Sequence, residues 1–139
     1  MFVILAASGL LAAAQAGPVP GTGIIVDTDK TMAGQALALP PAPYRVVSTR
    51  VELAAGAAVP THMHIWARYV YIERGEVELT LLDSGRTRTF RTGEVIVEPI
   101  GKWHSGRIVS DTVLVSVEQV PPGRCNTVRP PETGKSNDC

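Results

Sequence analysis

The sequence predicts an all-β fold, a small barrel or two-layer sandwich. Three observations carry this. From Tyr44 to Val120 the chain is a succession of short β-branched runs parted by Gly, Pro and Asp-Ser-Gly turns. No window in that stretch has the apolar spacing of a useful amphipathic helix. The chain also carries 13 Gly and 11 Pro in 139 residues, a density that favours turns.

The elements follow in order. Residues 1–16, MFVILAASGLLAAAQA, are an uncharged apolar run closing on Ala14-Gln15-Ala16, a small-x-small pattern. They read as a signal peptide cleaved after Ala16, which predicts a periplasmic or secreted protein with no stable membrane anchor after cleavage. The run falls short of the ~20 residues that cross a bilayer. Residues 17–43 form an N-terminal arm rich in Gly, Pro, Thr and Ala, in which GIIVD is expected to add a short edge strand. Residues 44–120 are the barrel. YRVVSTRVEL is the first strand and AAGAAVP a turn. THMH enters the second strand, and ARYVYIERG ends in a Gly turn at Gly75. GEVELTLL, RTRTF and the run after Thr92-Gly93 continue the series, and PIGKWH is a Pro/Gly corner. GRIVSD and TVLVSVEQV close it as two further strands. Residues 121–139 lack apolar periodicity and read as a Pro-rich tail. Cys125 and Cys139, the only cysteines, both lie there. An oxidising compartment would allow a bridge between them; the alternative is two unrelated thiols.

Formal net charge is zero, so no basic face is implied and no nucleic-acid partner is expected. A small-molecule ligand is the expected partner. The three histidines are more informative. His62 and His64 sit two apart on a strand, so their rings share a face. His104 follows at the next corner, in GKWHSG. Three imidazoles suit a divalent transition metal (Fe, Mn, Zn, Ni or Cu) and leave coordination positions open for chemistry.

The motifs go further. Gly56, His62, His64, residue 68 and Gly75 match the spacing G-x5-H-x-H-x3-E-x6-G. Gly93, Pro99, Gly101, His104 and residue 108 match G-x5-P-x-G-x2-H-x3-N. With these, the chain resembles the cupin superfamily, and within it the small exported single-domain bacterial type. The resemblance implies a cupin-type barrel or jelly-roll sandwich, a metal held by His62, His64 and His104, and a homodimer joined by edge strands. It also implies metal-dependent chemistry, dioxygenase-like or of a lyase or isomerase type. A non-catalytic metal- or ligand-binding module of the bacterial envelope is the alternative.

Two slots depart from the motifs. Ile108 replaces the second-motif Asn. Arg68 stands where most cupins carry a metal-binding Glu. A guanidinium ligates no metal, and unpaired it would repel one. Residues 62, 64 and 68 share strand parity, so Arg68 is expected to face the same cavity. Three readings stay open. Arg68 clamps an anionic, carboxylate-bearing substrate beside a three-His metal, an arrangement the three-His iron site of thiol dioxygenases resembles. Or it turns away to pair with Glu73, Glu98 or solvent. Or the pocket binds a ligand without metal. Glu98 reads as a partner behind a histidine, and Trp103 as the aromatic most suited to the pocket.

Overall fold

Two long strands define the architecture, and the computed structural model describes residues 23–131. The strands are β1 (Arg45–Leu53), β2 (Ala58–His64), β3 (Arg68–Leu81), β4 (Thr87–Arg91), β5 (Val95–Val97), β6 (His104–Val120) and β7 (Thr127–Val128). β3 and β6 run antiparallel along their whole length, from Arg68 opposite Glu118 to Leu81 opposite His104. Shorter strands flank each half of this ladder. β1 and β5 border the half holding Arg68 and Glu118; β2 and β4 border the half holding Leu81 and His104. β7 adds to the outer edge of β2. The all-β expectation of a jelly-roll sandwich therefore stands.

The sequence reading divides β3 at Gly75 and β6 near Asp111. Neither division occurs. Gly75 sits in a bulged stretch between Ile72 and Val77, where the register shifts repeatedly. Its φ of +96° is open to glycine and strained for other residues. Here β3 passes close to Thr112 of β6, and a Cβ on Gly75 would lie 2.7 Å from the Thr112 Cα. The bulges also reset side-chain parity. Val70 and Ile72 point inward before them, Val77 and Leu79 after them. One strand thus serves both faces of the sandwich. The core joins Val70, Ile72 and Ile96 from one half to Val77, Leu79, Phe90 and Ile108 from the other.

Two further expectations change. GIIVD forms no strand, and Ile24, Ile25 and Val26 are exposed. The arm attaches further on, where the amide of Gln35 bonds both the N–H and the carbonyl of Ile100. The tail read as structureless contains β7, because backbone pairing needs no apolar pattern. The signal-peptide reading of residues 1–16 lies outside the described residues, as does Cys139 and with it the choice between a bridge to Cys125 and two separate thiols. Among the described residues no helix is long and apolar enough to cross a membrane.

Candidate metal centre

The three histidines meet. His62 and His64 project inward from the end of β2, and His104 opens β6 opposite His62. Their ring centroids lie 4.4 to 5.3 Å apart. The second-motif corner locks onto β2. The Gly101 N–H donates to the His64 carbonyl at 2.7 Å, and Ile100 bridges His64 in parallel. A φ of +62° at Gly101 lets the chain turn there and return as β6.

Glu98 completes the group, and its place there corrects the sequence reading. That reading left it solvated, behind a histidine or paired with Arg68. It is instead buried inside the cluster, and the four ligand atoms of His62, His64, Glu98 and His104 lie within 4.8 Å of one another. Ile96, Val97 and Glu98 are all buried, so alternation along this strand does not single out Glu98 in the sequence.

The donor set fits a cation. The Nδ1 atoms of His62 and His104 sit 2.7 and 2.9 Å from the carbonyls of Pro60 and Lys102. Carbonyls only accept, so those nitrogens carry the hydrogen and each Nε2 keeps its lone pair. The Nδ1 of His64 lies 3.4 Å from the Thr127 hydroxyl. The Nε2 atoms of His64 and His104 and the Oε2 of Glu98 are buried without a hydrogen-bond partner. Oε2 is 2.8 Å from His64 Nε2, yet the two are not aligned as a hydrogen bond. Buried polar atoms left unmatched are costly, and one divalent ion would satisfy all three. Protonation favours the same ion. Burial pushes the His62 imidazole down to about 4, with His104 beside it adding to the effect, and burial also lowers His104. Both are neutral at pH 7, the form that binds metal. Burial alone would raise the Glu98 carboxyl, but His64 and Arg68 outweigh it and hold it below the usual carboxylate range.

Arg68 reaches the cavity by another route than strand parity. The chain reverses between β2 and β3, and Arg68 opens β3 on the facing half of the sandwich. There the Glu98 N–H donates to the Arg68 carbonyl at 2.9 Å. Its Nε lies 3.7 Å from Glu98 and 3.9 Å from Glu118, and its Nη2 donates to Ser116 at 3.0 Å. Glu73 pairs with Arg50 instead. Arg68 thus faces Glu98 while still lining the cavities beside His62. Trp103 lines neither of these cavities.

A family model for the cupin domain matches residues 49–118, half of the chain. The chain belongs to the cupin family. Its cluster occupies the cupin motif slots except that the carboxylate comes from position 98. No curated protein matches this cupin. Among solved structures it is similar to the polyketide cyclase RemF from Streptomyces resistomycificus, at 26% identity and a TM-score of 0.52 over 68% of each chain. It is also similar to SPY1581, a conserved Streptococcus pyogenes protein of unknown function (25% identity, TM-score 0.49, over 57% of this chain and 67% of that one). Oxalate decarboxylase from Bacillus subtilis shares the fold (23% identity, TM-score 0.51, over 62% of this cupin and 24% of that chain).

The segment after β6 was not legible as part of the site. Asn126 is buried and ties the connection between β2 and β3 to β6. Its side-chain oxygen accepts the Trp66 N–H at 2.8 Å, its carbonyl accepts the Ile65 N–H at 3.0 Å, and its amide donates to Glu118 at 2.7 Å. Asn126→Ala is expected to free residues 121–131, raising proteolytic nicking there, and to lower stability by about 1–3 kcal/mol. Limited proteolysis with mass mapping, beside a thermal melt, checks both.

Proposed function

We propose that this cupin is metal-dependent, that His62, His64, His104 and Glu98 hold one divalent transition ion, and that the protein acts on a small carboxylate-bearing molecule engaged by Arg68. The carrying observation is the buried four-residue cluster in which His64 Nε2, His104 Nε2 and Glu98 Oε2 have no hydrogen-bond partner. Three imidazoles with one carboxylate suit Fe, Mn, Ni, Cu or Zn. The bound ion would supply Lewis acidity or electron transfer at its open positions. The chain's own residues do the rest. The carbonyls of Pro60 and Lys102 orient two of the rings. Glu98 contributes the one negative charge among the four. Arg68 offers terminal N–H donors beside the cluster, suited to a carboxylate. The similarity to RemF, an enzyme by name, supports catalysis. Residues 1–16, read as a leader, support work in the periplasm or outside the cell.

Metal analysis of the purified protein tests the centre. About one ion per chain is expected in the wild type, with loss in His62→Ala and His104→Ala. A wild type that takes up none of Fe, Mn, Ni, Cu or Zn overturns the proposal.

A further inference from the structure

The cleft beside the cluster has two unlike compartments, with His62 and Arg68 in the walls of both. The inner one is about 240 Å³. Its walls are mainly aliphatic, from Val51, Leu53, Val59, Val77, Leu79 and Leu114, and its charged or imidazole groups are His62, Arg68 and Glu98. The outer one is about 420 Å³ and mixed, with Val47, Val59 and Pro60 beside Thr49, Thr127, Glu118, Arg68 and Arg129, so it is more polar than the inner one. Such a division selects a molecule with two ends. An apolar cavity gains by taking up apolar surface, while a carboxylate gains only where charged donors receive it.

We propose that the ligand is an amphipathic monocarboxylate, its hydrocarbon part in the inner compartment and its carboxylate at Arg68 on the boundary. This rests on the reading of Arg68 as an anion clamp, and it adds the class of molecule held. A short hydrophilic acid leaves the aliphatic walls unfilled. A neutral hydrocarbon leaves Arg68 without a ligand anion. Only a molecule with both parts uses both compartments.

Calorimetric titration of the full chain with straight-chain monocarboxylates, from butyrate to octanoate, and with the matching primary amides tests this. Affinity is expected to rise about fourfold per added methylene until the inner compartment is full. Each carboxylate should bind at least about tenfold tighter than its amide, as for a hydrogen bond to a charged group. Arg68→Gln should remove the preference for carboxylate and keep the dependence on length. Val51→Phe, which narrows the inner compartment, should flatten the length dependence and keep the preference for carboxylate. A flat wild-type series, or amides binding as well as acids, overturns the proposal. Metal content is measured on the same preparation before titration. A metal-free protein with a rising series rejects the four-ligand centre alone, and a metal-loaded protein with a flat series rejects the amphipathic site alone.

Discussion

Glu98→Gln is expected to weaken metal binding at least about a hundredfold, beyond the 10- to 100-fold typical when an outer partner of a ligand is lost. The variant keeps the shape of the side chain and one acceptor oxygen. What it loses is the sole negative charge in the cluster. His62 and His104 are neutral at working pH because burial lowers them. Arg68 remains, with its Nε 3.7 Å from position 98. A divalent ion would then enter a buried space holding a fixed cation and no carboxylate ligand, with Glu118 the nearest offset on the far side of Arg68. Competition against a chromophoric chelator, with the same ion for wild type and variant, reads the affinity ratio directly. Equal affinities would remove Glu98 from the ligand set and return the site to three histidines.

Gly75→Ala is expected to cost about 2–5 kcal/mol. A left-handed backbone with a side chain accounts for about 1–2 kcal/mol of this. Forcing a methyl group against the Asp111 carbonyl and the Thr112 hydroxyl adds about 1–3 kcal/mol. At this chain length the melting temperature should fall by about 5–15 °C. Gly85→Ala is the control: its φ is also positive, at +67°, but nothing lies within 4 Å of an added Cβ, so only the backbone cost applies. Equal melting temperatures for the two variants would show that the crossing at Thr112 is not tight. Metal binding should weaken in Gly75→Ala as well. The histidines belong to one half of the bent ladder and Glu98 to the other, and the bulge at Gly75 sets the halves against each other.

The histidines, the glycine spacing and the all-β class were legible because they depend on local pattern. A period of two and a few turn residues suffice for them. The continuity of β3 and β6 was not legible. A glycine that bends a strand and one that ends it look alike in sequence, and the difference lies in Thr112, far along the chain. Glu98 was underread because its value depends on which strand lies beside it. Only the pairing of β5 with β3 places it next to position 68. Asn126 and Thr127 were invisible for a related reason. They are polar residues in a polar stretch, and their importance comes from Ile65, Trp66 and Glu118 for Asn126 and from His64 for Thr127.

The joining of Glu98 to Arg68 bears on how relatives of this chain should be screened. The usual criterion, a glutamate at the first-motif slot, would reject this sequence as inert. Yet this chain carries a carboxylate at position 98, just after β5, whose N–H bonds the carbonyl of Arg68. Positions 68 and 98 therefore form one composite character. In this chain the acid at 98 faces the cation at 68 and keeps a carboxylate among the histidines. Sequences sorted by the pair should divide differently from sequences sorted by the first slot alone.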